Sequence, residues 1–171
     1  NKFSKGVSGA LNTGLELAKG EYIARADADD LNRTYRLKLQ YSFLQKNKKI
    51  MVVGGGYAPF NNLGHRVNAF HPQGSECLAW RFVTNTHLCH PTVMFRREVY
   101  EVIGGYVNVE AEDFEYFSRA SRLFMMANIS TILIDYRESL SNRSYSAAEK
   151  IHESVKNQAF KNFQYYIGDT S

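Results

Sequence analysis

Cysteine is scarce. Only Cys77 and Cys89 occur, with no CxxC pair and no Cys/His spacing of a zinc site. A disulfide scaffold is therefore not expected, and a reducing compartment, the cytoplasm, is. Long apolar runs are also missing: no stretch of about 18 apolar residues is present, so no transmembrane helix is predicted. No signal peptide is legible. Basic residues outnumber acidic ones by 21 to 17, yet they never gather into a Lys/Arg block, so nucleic acid is not an expected partner. The surplus suits phosphorylated ligands or an anionic membrane surface. With three prolines in all there is no Pro-rich linker, and no internal repeat or low-complexity stretch breaks the chain. An initiator Met is lacking as well. The chain opens at Asn1-Lys2-Phe3 and passes straight into a helical pattern, as a sequence with missing upstream residues would.

What is present is an ordinary globular balance, 44% hydrophobic and 22% charged, in a length that suits one domain with a real core. Aromatic residues reach 13%. They fit a well-filled core first, and a groove for flat ligands such as sugars second. Leu11, Leu15 and Ala18 recur at helical spacing over Ser8–Lys19, with Ser8 as N-cap and Gly20 as C-terminal cap. A short strand over 21–26 follows. A helix over 34–46 is expected to bury Leu37, Tyr41 and Leu44. Ile50–Gly56 reads as a buried strand, and Asn61–Gly64 as a hairpin turn into Val67–Phe70. Further helices are expected over 75–83, 97–103, 112–123 and 146–166, with strands over 92–95 and 129–136. Strands alternating with helices predict an α/β layered domain with a mostly parallel or mixed sheet, residues 1–145, followed by a C-terminal helix, 146–171.

The acidic cluster Asp27-Ala28-Asp29-Asp30 stands at the end of the first strand, where ligands bind in open sheets of this class. Three carboxylates within four residues repel one another unless a cation or hydrogen-bond donors offset them. Alternate spacing lets Asp27 and Asp29 point the same way, toward a hard divalent cation, Mg²⁺ or Mn²⁺, that completes its shell with water and phosphates. The plainer alternative is a solvated turn, and Asp30 is assigned mainly to capping the next helix. An EF-hand is excluded by the missing Gly and Glu at its fixed loop positions.

Several stretches together resemble the family-2 glycosyltransferases, which carry the GT-A fold. Gly9-Ala10-Leu11-Asn12-Thr13-Gly14 and Ala18-Lys19-Gly20-Glu21-Tyr22-Ile23 lead into the cluster at Asp27, and Arg36-Leu37 and Gln40 follow it. His90-Pro91-Thr92-Val93-Met94-Phe95-Arg96-Arg97, then Gly104-Gly105-Tyr106, then Ala111-Glu112-Asp113-Phe114-Glu115 with Arg119, continue the pattern. Tyr136-Arg137 with Ser144 and Ser146 closes it. The family's N-terminal nucleotide-binding region has no counterpart here, so an N-terminally truncated, GT-A-like α/β/α domain is expected.

The resemblance implies a metal-dependent inverting transfer of a sugar from a nucleotide-diphosphate donor to a glycan or lipid-linked acceptor. Asp113 becomes the general base, with Glu112 structural or acceptor-orienting. Asp29 becomes the main metal ligand and Asp27 its partner. A single base suffices, because a nucleotide leaving group needs no protonating acid. His90 is placed against diphosphate or acceptor, and Arg96 and Arg137 against phosphate. For these three a purely structural role weighs about equally. Arg119 is expected to brace the helix of Asp113 through a salt bridge, and Trp80 to belong to the core. Peripheral membrane association through the C-terminal helix, at the inner membrane face, stays open. So do a non-catalytic binding or assembly module and a sugar-phosphate nucleotidyltransferase.

Overall fold

Neighbouring residues of a strand face opposite sides of a sheet. In the computed structural model, which describes residues 6–72, 78, 80–139 and 147–168, that alternation divides the core in two. The elements are α1 (Val7–Leu17), β1 (Tyr22–Ala24), β2 (Leu31–Asn32), α2 (Arg36–Lys46), β3 (Ile50–Asn61) and β4 (Gly64–His65). A 3-10 turn (His90–Thr92), β5 (Met94–Arg96), α3 (Arg97–Ile103), α4 (Glu112–Ser121), β6 (Met125–Arg137) and α5 (Ala148–Ile167) complete the chain.

One mixed sheet holds all six strands in the order β1-β5-β3-β6-β2, with β4 paired to β3. β3 and β6 run parallel from Ile50↔Met125 to Phe60↔Arg137, and the remaining pairs are antiparallel. Val52, Phe95 and Met126 face the larger core, shared with Leu15, Val99, Phe114 and Phe117 of the helices. Their neighbours Val53, Met94 and Ala127 face a smaller one, closed by Leu44 of α2. Two of the glycines in β3 make room across the sheet. A Cβ on Gly54 would stand 2.5 Å from Asn128 Oδ1, and one on Gly55 2.6 Å from Leu133.

Several expectations shift, each for a local reason. Ser8 is not the N-cap of α1: Gly6 takes that place, and the Ser8 hydroxyl donates to Val107 O instead. Gly20 is not its C-terminal cap. The helix stops at Leu17 and Ala18 turns extended, because Arg97 donates to the carbonyls of Ala18 and Gly20. α2 buries Arg36, Gln40 and Leu44, whereas Leu37 and Tyr41 are exposed. β6 begins at Met125 rather than near residue 129, since parallel pairing with Ile50–Gly54 overrides the helical propensity of Met and Ala. β3 likewise runs on through Pro59 to Asn61.

Most of the helix expected over 75–83 lies outside the described residues, as do Ser144 and Ser146. Trp80 is not a core residue. It is 74% exposed and rests against Tyr166 of α5. α5 docks on α4 through Asn162, whose Nδ2 donates to Ser118 Oγ and Phe82 O. Among the described residues no helix is long and apolar enough to cross a membrane.

Candidate active site

One wall of the central cleft is the turn that leaves β1. The Arg25 amide still donates to Val93 O at 2.9 Å, and beyond it the chain turns through Asp27, Asp29 and Asp30. The turn is held from below by α2. Arg36, 1% exposed, donates from Nε to Gln40 Oε1, from Nη1 to Asn32 Oδ1 and from Nη2 to Arg25 O. Gln40 Nε2 in turn donates to Val53 O and Thr92 O. Burial pulls the Arg36 guanidinium down to about 10, so it remains charged at neutral pH. These polar side chains turn inward because the carbonyls of Arg25, Val53 and Thr92 meet their donors there.

Within the turn the three carboxylates part company. Both oxygens of Asp27 pair with Arg25: Nη1 donates to Oδ2 at 2.6 Å and Nη2 lies 2.5 Å from Oδ1. Asp29 is exposed, and its carbonyl accepts from Arg137 Nε. Asp30 is buried, and its Oδ1 accepts from the Arg137 amide of β6 at 2.9 Å. It does not cap α2, whose N-cap residue is Tyr35. Burial, and then the neighbouring charges of Asp27 and Asp29 against the Arg137 amide, pushes its carboxyl up to about 6.

The facing wall is the N-terminus of α4. Arg119 fixes that helix by a two-pronged pair with Glu115 at 2.7 and 2.9 Å and by donating to the carbonyls of Ile103 and Gly105. The expected brace is present. Asn12 of α1 clamps the same turn, accepting from the Tyr106 amide and donating to its carbonyl. Tyr106 stacks on Tyr116 with centroids 4.1 Å apart, and its hydroxyl meets His90 Nε2 at 2.9 Å. Burial holds His90 well below its ordinary range, so the ring is neutral. Glu112 is 7% exposed. Asp113 beside it is partly buried, and one oxygen accepts from the Phe114 amide. Burial first, then the Glu112 charge, pushes Asp113 up to about 6, against the pull of Arg25 and the backbone amides.

The cleft between the walls measures about 690 Å³ and is lined by Arg25, Asp27, Asp29, His90, Glu112, Asp113 and Arg137 among others. Six of the seven site residues singled out in the sequence therefore meet in one place. Arg96 does not. Its guanidinium donates to Ile50 O, Leu44 O and the Tyr22 hydroxyl, tying β5 to β3 and α2. Arg25 escaped notice, although a cation two residues before the first Asp of an acidic turn was the available signal. Among the described residues no group of three or more His, Cys, Asp or Glu side chains is arranged to hold a metal ion. Asp27 and Asp29 supply hard oxygens, and these suit Mg²⁺ or Mn²⁺, which takes one or two carboxylates and fills its shell from phosphate and water.

Comparison with known proteins matches residues 1–104 to the family described as Glycosyl transferase family 2. EpsE of Bacillus subtilis (strain 168), provisionally named a glycosyltransferase, is 38% identical over 109 residues, 64% of this chain and 38% of that protein. Among solved structures, TarS 1-349 of S. aureus in complex with UDP-GlcNAc superposes with a TM-score of 0.66 at 18% identity, covering 90% of this chain and 45% of that one. The mannosyltransferase PcManGT of Pyrobaculum calidifontis, in complex with GDP-Man and Mn²⁺, gives 0.58 at 18% identity, covering 98% and 45%. The fold is GT-A-like. The chain spans less than half the length of each of these three proteins.

Proposed function

From the premise that this chain belongs to glycosyl transferase family 2, we propose that it transfers a sugar from a nucleoside-diphosphate donor to a hydroxyl of a glycan or lipid-linked acceptor, with inversion at the anomeric carbon. The observation that carries the reading is the pairing in one cleft of an acidic turn open to a cation with a partly buried Asp113 whose carboxyl titrates at about 6. The donor class follows the two solved relatives, whose ligands are UDP-GlcNAc and GDP-Man.

The acceptor oxygen attacks the anomeric carbon while the bond from that carbon to the diphosphate breaks. Asp113 takes the proton of the attacking hydroxyl. A carboxylate near 6 is deprotonated at neutral pH, yet more basic than an ordinary one, which suits a general base. When bound at Asp29 and Asp27, Mg²⁺ or Mn²⁺ supplies positive charge against the departing diphosphate. Arg137, on the same wall, adds a second cation there. Neutral His90, held by Tyr106, shapes the floor between the walls. An acceptor carried on lipid would bring the reaction to a membrane face, although no described helix spans one.

Replacing Asp113 with Asn tests the base. Transfer from a panel of UDP- and GDP-sugars is expected to fall about 10²–10⁴-fold, while calorimetric binding of UDP with Mn²⁺ persists. Full-rate transfer by this variant would remove Asp113 from the mechanism. A wild-type protein that binds neither nucleotide with any metal would remove the donor reading itself.

A further inference from the structure

Four arginines serve the cleft walls, and Arg25 differs from the two that brace them, Arg36 and Arg119. Arg36 and Arg119 each place all three guanidinium nitrogens on oxygen acceptors. Arg25, with a side chain only 12% exposed, uses two nitrogens on Asp27 and leaves Nε buried without an acceptor among the described residues. Such an orphan costs free energy and also occurs at Arg122 Nε; what sets Arg25 apart is that its paired nitrogens are spent on a carboxylate of the cleft itself. Arg25 also lines the cleft, and its charge reaches Asp30, His90 and Asp113 across it.

The pairing has a chemical consequence. With both oxygens of Asp27 engaged, a cation arriving at the turn has to displace the guanidinium or do without that carboxylate. A displaced guanidinium needs a new anion, and its planar fork matches phosphate as well as it matches carboxylate. We propose that Arg25 is a resident counter-cation of the donor site: it occupies Asp27 until a divalent cation arrives with a nucleoside diphosphate, then releases Asp27 to the cation and turns to the diphosphate. The inference rests on the donor-site reading above. It makes Arg25 a positioning residue that couples the two ligands, so that each raises the affinity of the other. In the empty cleft it also offsets carboxylates that would otherwise repel one another.

The test is Mn²⁺ binding by electron paramagnetic resonance, with and without uridine diphosphate, on the whole chain and on Arg25→Gln and Arg25→Lys, with thermal melts to check folding. Arg25→Gln is expected to bind Mn²⁺ alone about threefold to fivefold more tightly than wild type, the worth of a partly exposed ion pair. Its enhancement of Mn²⁺ binding by uridine diphosphate is expected to shrink by a similar factor. Arg25→Lys, which keeps the charge but loses the fork, falls between. Should Arg25→Gln not fold, Arg25→Lys decides alone by the same direction of change. Unchanged or weaker binding of Mn²⁺ alone by the folded variants overturns the inference while the donor reading stands. Failure of wild type to bind Mn²⁺ even with uridine diphosphate overturns both.

Discussion

The turn after β1 carries three carboxylates in four residues, and α4 opens with two, yet the walls offset that charge by different means. On the turn the compensation is explicit: Arg25 pairs with Asp27 and the Arg137 amide donates to Asp30, while Asp29 stays exposed. On α4 no cation is paired to Asp113 among the described residues. Its charge meets a helix N-terminus, which favours an anion, and a partly buried setting, which opposes one more strongly. A turn with one exposed carboxylate and one held in an exchangeable ion pair suits cation binding. A helix end that raises a carboxyl toward neutrality suits proton transfer.

The sharpest way to break this comparison is to remove what lies under the turn. Arg36→Ala empties a buried volume and strands the carbonyl of Arg25 and the side-chain oxygens of Asn32 and Gln40. It is expected to cost about 3–4 kcal/mol in a denaturant melt. If the variant still folds, Mn²⁺ binding falls while Asp113 keeps its pKa. Arg119→Ala addresses the other wall. It leaves Glu115 and two carbonyls unpaired at a largely buried helix face, for an expected loss of about 2 kcal/mol. Turnover falls and Mn²⁺ binding with uridine diphosphate holds. If both variants lowered both properties alike, the two walls would be one unit.

The smallest effect is in pH. A base must be ionised, and Asp113 loses its charge as pH falls through about 6. The rate of transfer at limiting substrate is therefore expected to be flat above about 7 and to fall about tenfold per unit below about 5. Asp30 also titrates near 6, so Asp30→Asn is the control. The acid limb is expected to survive in that variant. Its disappearance would move the titration to the turn.

Much of the site could be read in the sequence because its chemistry is local. An acidic turn after a strand and an acidic pair at a helix start keep their meaning whatever the chain does between them. What stayed hidden depends on distant partners. Arg36 and Gln40 look like surface residues of an amphipathic helix until the carbonyls of Arg25, Val53 and Thr92 are brought beneath them, which exposes Leu37 and Tyr41 instead. Asp30 reads as a cap until β6 supplies the Arg137 amide. Arg96 stands beside His90-Pro91 in sequence, yet its strand turns it to the carbonyls of Ile50 and Leu44. Residues 125–128 carry no strand signal of their own and become strand only beside β3.

The bond from the Arg137 amide to Asp30 spans 107 residues, and the clamp of Asn12 on Tyr106 spans 94. Closing loops of that length is entropically costly before any contact rewards it, and folds rich in such contacts form slowly. The cleft therefore has no locally folded precursor. The turn acquires its third support only when β6 has docked along β3, and α4 is aimed only when α1 has reached the turn before it. Ligand competence should accordingly emerge in the last cooperative phase of refolding, after most helical signal has returned.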